Sequence, residues 1–545
     1  MLFEELKKII KGDVLADENT LKKYSRDASL FEIRPQVVVC PKDAEDIKNL
    51  VKFASQKPGK DQMLTLTARS GGTDMTGGAL TESVIVDVTK HLNRVLEIGE
   101  DYAIAEPGVF YRDFEKETLK KGLLLPSYPA SREICALGGM VANNAGGEKT
   151  LAYGKTENYV MGLKAILADG IEYSFKPLNR QELDSKLSQN DFEGKLYKEI
   201  YSLVTEHKED LDAAKPQVSK NSAGYYLWNV WNGKVFDLTK LFVGSQGTLG
   251  IITEIKFKLI KPKKHSRMAV IFLKDLNPLA NIAQAVMKFR PESFESFDDN
   301  TLKIALRYLP SLVKLLKKNI FSLAWNFLPE FWMLLSGGVP KLILLAEFTD
   351  DSEERLQSKL GDLEKELEKS SANFRVLASE EEARKYWVIR RESFNLLRHH
   401  IKGKRTAPFI DDFIVKVEDL PEFLPELYKI LGQYKIIYTI AGHVGDGNFH
   451  IIPLMDLSDP KNHEIIKSLS EKVYDLVLKY DGSITAEHND GLIRSPYLEK
   501  MYGEKIYGLF EKTKKIFDPN NIFNPGKKVG AKMDYAFEHL IKSAK

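Results

Sequence analysis

Residues 69–79 read RSGGTDMTGGA and follow Leu64–Ala68, a short run patterned as a strand. Glycine reaches the left-handed backbone that turns successive N–H groups toward one point, so a strand running into such a loop suits an anion. Thr73 and Thr76 add hydroxyl donors. No lysine closes the glycines as in a phosphate loop, and no G-x-G-x-x-G opens a helix, so both common nucleotide-loop readings fail. Two more glycine-dense stretches follow, ALGGMVANNAGG at 136–147 and GSQGTLGII at 244–252. Each alone reads as tight turns. Three in one strand-rich region point to backbone wrapped around a large phosphate-bearing ligand.

Around these loops the pattern predicts strands at Gln36–Cys40, Ser83–Val88, Tyr102–Glu106, Leu163–Ala168, Leu241–Val243 and Ile251–Leu259, with helices at Ala44–Ser55 and Tyr111–Lys121. From about Lys264 the rhythm changes. Strand-like runs at Met268–Leu273, Leu342–Phe348, Phe374–Leu377, Ile436–Ala441 and Phe449–Leu454 alternate with longer helical stretches, Glu353–Glu368 and Pro460–Tyr480. That alternation predicts an α+β second domain over an antiparallel sheet. Glu353–Glu368, rich in Glu and Lys three and four apart, reads as a solvated helix.

Composition narrows the function classes. The 545 residues are 43% hydrophobic and 29% charged, which fits a globular protein with a sizeable core. Lys and Arg total 79 against 77 Asp and Glu, a net charge of +2, which argues against a nucleic-acid binder resting on a dense basic surface. Two cysteines, Cys40 and Cys135, exclude a disulfide framework and an all-cysteine iron–sulfur cluster. Any electrons must be carried by a bound cofactor. Met1–Ile10 reads as an amphipathic helix rather than a signal peptide, making the cytoplasm the default compartment. The apolar stretch 319–340 is broken by Pro329, Glu330, Gly337 and Gly338. It is too broken to span a membrane. It reads as a buried helical hairpin or partner-facing insert, with peripheral contact on the inner membrane face as the alternative.

Two further segments carry chemistry. AGHVGDGNFHII at 441–452 places a Gly445-Asp446-Gly447 turn between strand-like runs, a hairpin that would bring His443 and His450 together. AEHNDGL at 486–492 sets Glu487 beside His488. Two imidazoles and a carboxylate make a divalent-metal site with open positions; hydrogen-bonded histidines beside a turn are the competing reading.

In combination, PQVVVCPKDAEDIKNLVKFA (35–54), the glycine loops, PSYPASREICALGGMVANNAGG (126–147) and GSQGTLGIITEIKFKL (244–259) resemble the PCMH-type FAD-binding domain. Within that superfamily the chain is similar to the FAD-linked D-2-hydroxyacid dehydrogenases, from about Arg34 to Lys527. The resemblance implies a two-lobed FAD-binding domain at 34–263, preceded by an N-terminal helical segment, 1–33. An α+β cap or substrate domain at 264–485 and a segment at 486–545 returning to the flavin would follow. FAD would be cradled by Ser70, Gly71, Gly72, Thr73, Asp74, Gly77 and Gly78, lined by Gly138, Gly139, Asn143, Asn144, Gly146 and Gly154, and closed by Gly247, Gly250 and Ile252. Thr73 stands where covalent relatives carry histidine, so the flavin would be non-covalent; Cys135 lies near the site of a second, thiol link in some relatives. Gln246 replaces the usual Glu of the last glycine motif, and Asn489 replaces the usual Gly after Glu487-His488.

By the same resemblance His443, His450 and Glu487 would bind a divalent metal, Zn²⁺ by type, and His488 would be the base. Arg390 would clamp the substrate carboxylate, with Arg391 next to it, and Asn448 would join it in substrate binding. Ile410 stands where the glutarate-type relatives carry lysine, which counts against recognition of a distal carboxylate. The implied reaction is oxidation of a D-2-hydroxyacid to the 2-oxoacid, with a separate quinone, cytochrome or iron–sulfur protein as electron acceptor. The EHNDGLIRSPYLEKMYG stretch (487–503) is also similar to the flavin half of large bacterial fusions with an iron–sulfur module, for which this chain lacks the cysteines. An ether-lipid-synthase-like flavoenzyme and a flavin-free subunit of a glycolate-oxidase-type complex are the rival readings. A homodimer stays open.

Overall fold

A computed structural model describes residues 2–56, 64–307, 339–370, 372–400 and 403–542, so nearly all of the 319–340 stretch lies outside the described residues. Three sheets organise the chain. The first holds β1 (Asp13–Leu15), β2 (Val37–Cys40), β3 (Leu66–Arg69) and β4 (Val84–Asp87) in the order β1-β2-β4-β3. β2, β4 and β3 run parallel, and β1 adds antiparallel at the edge. Parallel strands buried on both faces read as continuous apolar runs, as VVVC and VIVD do here. The second sheet, β5 (Val95–Ile98), β6 (Tyr102–Ala105), β7 (Val160–Ile166), β8 (Glu172–Phe175) and β9 (Ile251–Lys258), is antiparallel in the order β5-β6-β9-β7-β8.

Three expectations are corrected here. The segment 1–33 is not only helical, since its Asp13–Leu15 strand is the edge of the first sheet. Leu241–Val243 is not a strand: Thr239–Phe242 forms a helical turn, with the Asp237 carboxylate accepting the Thr239 amide and hydroxyl (2.9 and 2.6 Å). A short apolar run has no period with which to tell strand from buried helix. Glu353–Leu367 is not simply solvated; its Leu356, Leu360, Leu363 and Leu367 are buried against the third sheet.

That third sheet is antiparallel throughout. It contains β10 (His265–Leu273), β11 (Ser293–Asp298), β12 (Leu342–Asp350), β13 (Asn373–Val376), β14 (Arg405–Thr406), β15 (Phe413–Ile414), β16 (Ile437–His443) and β17 (Asn448–Met455), ordered β13-β10-β12-β11-β16-β17-β14 with β15 also on β17. Alternation along β10 separates the faces. Ala269, Ile271 and Leu273 pack under helices Leu279–Met287 and Glu353–Leu367, while Met268, Val270 and Phe272 pack against Ala383, Tyr386 and Ile389 of helix Glu380–His400. The register Ser296↔Gly442 and Phe297↔Ala441, extended by one pair, sets Glu295 opposite His443. Ala441 in turn lies opposite His450. Glu295, His443 and His450 thus share the face covered by helix Glu380–His400, which turns toward the first two sheets.

The segment after the third sheet returns to the first. Phe523 bridges Leu66, and the Asn524 side-chain amide donates to the Gly78 and Gln246 carbonyls (2.8 and 2.7 Å). Among the described residues no helix is long and apolar enough to cross a membrane.

Candidate active site

A cavity of ≈ 730 Å³ lies between the glycine loops and the third sheet. Its first wall is backbone. Ser70, Gly72, Thr73, Asp74 and Gly78 come from the loop after β3; Gly138, Gly139, Asn143 and Gly146 from helix Leu137–Asn143 and the turn after it; Gly247, Gly250 and Ile252 from the entry to β9. Gly72 takes φ +67°, a left-handed conformation in which any side chain would be strained. A Cβ on Gly138 would stand 2.6 Å from the Cβ of Pro107. Asp74 shapes its loop by accepting the Thr76 and Gly78 amides (3.1 and 2.6 Å) and the Asn143 side chain (3.0 Å). Gln246 joins the motifs: its amide nitrogen donates to the Thr76 hydroxyl (3.2 Å) and its carbonyl accepts the Gly491 amide (2.8 Å). A cradle walled by glycine-rich backbone suits a dinucleotide such as FAD.

Four residues expected in the cradle stand behind it. A Cβ on Gly71 would meet the Ile134 carbonyl at 2.5 Å, and Gly77 packs beside Phe31. Asn144, left-handed and fully buried, donates to the Tyr226 hydroxyl and accepts the Glu157 amide. Gly154 turns the chain next to Asn158. Cys135 does line the cavity, with its thiol pushed up to about 12 by burial, which leaves it a poor nucleophile.

The second wall is made of paired side chains: Arg390, Arg391, His443, His450, Glu487 and His488. Each imidazole is held at Nδ1 by a carboxylate, His443 by Glu295 (2.7 Å), His450 by Asp411 (3.0 Å) and His488 by Asp411 (2.6 Å). A carboxylate can only accept, so Nδ1 carries the proton and Nε2 is turned toward the centre. The three Nε2 atoms converge on one oxygen, Glu487 Oε1, at 3.0, 3.4 and 3.9 Å. The other carboxylate oxygen faces Lys220 Nζ (3.3 Å), which also pairs with Asp446 (2.9 Å). Ligand atoms of Asp412, His450, Glu487 and His488 lie within 4.8 Å of one another. Asp412 is nonetheless spent, because Oδ2 accepts the Thr485 hydroxyl and the amides of Ala486, Glu487 and His488 (2.7–2.9 Å). Of that group His450, Glu487 and His488 keep open ligand atoms, and His443 Nε2 lies beside them, 3.0 Å from Glu487. Five carboxylates, Glu295, Asp411, Asp412, Asp446 and Glu487, crowd against four buried cations, Lys155, Lys220, Arg390 and Arg494, and protonated His450 and His488 supply the positive charge that a bound cation would replace.

The electrostatics follow from this crowding. Burial opposes protonation of His450, but the Asp411 carboxylate overrides it and raises the pKa to about 10. His488 is raised too, burial again opposing and Asp411 and Asp412 prevailing. Burial favours a neutral Glu487, yet His443 and Lys220 hold it well below the usual carboxylate range.

Asn448 does not reach the cavity. It is fully buried, and its amide donates to Asp412 Oδ1 and the Phe413 carbonyl (3.2 and 3.0 Å), so it props the loop organiser. Asn489, the departure from glycine noted above, takes φ +72°, which asparagine tolerates. Its side chain donates to the carbonyls of Asn143 and Gly244 (3.2 and 2.9 Å), tying this loop to two glycine motifs.

Sequence reading missed Glu295, Asp411, Lys220 and Arg494. Glu295 pairs with Arg390 as well as His443, and Arg494, 1% exposed, donates to the carbonyls of Asn489 (3.1 Å) and Asp411. SFESFD at 293–298 is buried throughout yet has only two apolar residues, Phe294 and Phe297, so its composition did not mark it as a core strand carrying a buried charge.

Comparison with known proteins agrees with this architecture. Residues 35–175 match the FAD binding domain family, and residues 262–528 match the family of FAD linked oxidases, C-terminal domain. The D-2-hydroxyglutarate dehydrogenase of Escherichia coli (strain K12) is 27% identical over 534 residues, 95% of this chain and 50% of that protein. Glycolate oxidase subunit GlcD of Bacillus subtilis (strain 168) is 26% identical over 514 residues, covering 92% and 91%. The chain thus spans about half the length of the first of these relatives and nearly all of the second. Among solved structures, p-cresol methylhydroxylase superposes with a TM-score of 0.68 at 16% identity, over 96% of both chains, which fixes the fold alone. The chain therefore belongs to the proteins in which an FAD binding domain is joined to an FAD linked oxidase C-terminal domain, and it shares the fold of p-cresol methylhydroxylase.

Proposed function

We propose that this chain oxidises a D-2-hydroxyacid to the 2-oxoacid, with FAD held non-covalently. The observation that carries the reading is a buried guanidinium edge beside converging imidazoles in the cavity that the glycine loops line. Arg390 pairs through Nη2 with Glu295, while its Nε is buried without a protein partner among the described residues. A buried donor of that kind is rarely left unmet, and a substrate carboxylate completes it. Glu295 keeps the guanidinium from swinging, so the acid is held by C1 with its 2-hydroxyl toward the histidines. In its neutral form His488, aligned at Nδ1 by Asp411, accepts the hydroxyl proton at Nε2. The C2 hydrogen leaves with its electron pair, and bound FAD supplies the acceptor for that hydride. His443, His450 and Glu487 would hold a divalent cation, zinc suiting two imidazoles and a carboxylate, and the ion when bound would polarise the 2-hydroxyl. Electrons then pass to a separate acceptor. The names of the two relatives support a small hydroxyacid as substrate.

Anaerobic titration with glycolate, D-lactate and D-2-hydroxyglutarate, with and without chelator, tests this. Bleaching of the flavin absorbance by at least one acid, slowed by chelator, is expected. Flavin left oxidised by every acid overturns the reading.

A further inference from the structure

Two neighbouring arginines of helix Glu380–His400 line the cavity and are used differently. Of its Nε/Nη2 edge, Arg390 commits Nη2 to Glu295 and leaves Nε without a protein partner among the described residues. Arg391 spends that same edge on Glu148: Nη2 donates to both carboxylate oxygens (2.5 and 2.6 Å) and Nε to one of them (3.2 Å). The guanidinium also lies over the Trp387 ring, 4.8 Å from its centre. Glu148 is firmly placed. Its side chain is 10% exposed, it accepts the Tyr128 hydroxyl (3.4 Å), and the adjacent Lys149 pairs with Glu292 at the entry to β11. The other arginines on the cavity wall are engaged as well. Arg69 donates to the carbonyls of Tyr24 and Arg26 (3.1 and 2.6 Å), and Arg132 pairs with Glu115 (2.6 Å).

A second carboxylate on the substrate would find the fork of Arg391 taken and the Glu148 charge beside it. Like charges brought together in a partly desolvated site cost far more than in water. Resting on the hydroxyacid reading above, we propose that Glu148 is a specificity-determining residue. By holding Arg391 it confines anion recognition to one carboxylate and selects 2-hydroxy monocarboxylates with an uncharged C3 substituent over dicarboxylates.

The test compares the wild-type holoenzyme with Glu148→Gln in anaerobic flavin reduction by D-lactate and D-2-hydroxybutyrate against D-malate and D-2-hydroxyglutarate. The wild type is expected to favour the monocarboxylates by about tenfold or more in kcat/KM, and E148Q to narrow that ratio by about tenfold through a gain on the dicarboxylates. In the double variant E148Q/R391Q the released guanidinium is gone, so the ratio returns toward that of the wild type. A mouth merely loosened by loss of the ion pair would change all four acids alike in both variants, which overturns the assignment. So does a wild type that prefers dicarboxylates, or an E148Q ratio that does not move. If no acid bleaches the flavin in any variant, the hydroxyacid reading falls and takes this inference with it; bleaching without regard to charge defeats the selectivity alone.

Discussion

Gly72 and Gly138 on one side of the cavity and His443, His450 and His488 on the other are held by opposite means. The glycine wall works by leaving side chains out, so its tolerance is set by volume. The histidine wall works by pairing each charged or polar group with a second, so its tolerance is set by charge and hydrogen bonding. One wall is expected to govern whether the cofactor stays, the other whether anything happens to it.

Substitutions can break that division. His488→Ala is expected to have the largest effect, lowering the rate of flavin reduction by substrate about 10²–10⁴-fold. Its FAD content, read from the visible spectrum, should equal that of the wild type; loss of FAD would show that the walls are not separable. Glu295→Gln comes next. It weakens the hold on both His443 and Arg390, so affinity for added Zn²⁺, read by equilibrium dialysis, should fall about 10–100-fold, with a raised KM and normal FAD content. On the opposite wall Gly138→Ala presses a methyl group onto Pro107, at a cost of about 1–3 kcal/mol. FAD titration of the apoprotein should register it, while the reduction rate of the fraction that does bind FAD stays unchanged. Asn489 bridges the two walls, and its glycine variant should show the mildest effect. Asn489→Gly keeps the left-handed turn and gives up the side-chain hydrogen bonds, about 1 kcal/mol, read as a small fall in Tm. Asn489→Ala should add the left-handed penalty of about 1–2 kcal/mol.

The same contrast explains what could be read from the sequence. Strands such as Val37–Cys40 and Ile251–Lys258, and the helix at 44–56, follow from local pattern and lie within a residue or two of expectation. The hairpin joining His443 to His450 followed from its Gly-Asp-Gly turn. Glu295 left no comparable trace, because its partners sit 95 and 148 positions further along the chain and become neighbours only through the order of the third sheet. Asp411 and Lys220 are of the same kind. Arg390 and Arg391 stood out as a pair, but which of them keeps an unmet Nε was decided by Glu295 and Glu148, contributed by a different strand and a different sheet's loop. Leu356, Leu360, Leu363 and Leu367 did carry a helical stripe, which the surrounding charges obscured.

The bridge between Phe523 and β3 makes the third sheet a guest carried within a host. The host's own hydrogen bonds are closed by Asn524, beyond the guest, so sequence neighbours are not the cooperative unit. Amides of β3 and of residues 522–524 should exchange with solvent at matched rates, and loosening the guest should register first as slack in the glycine loops.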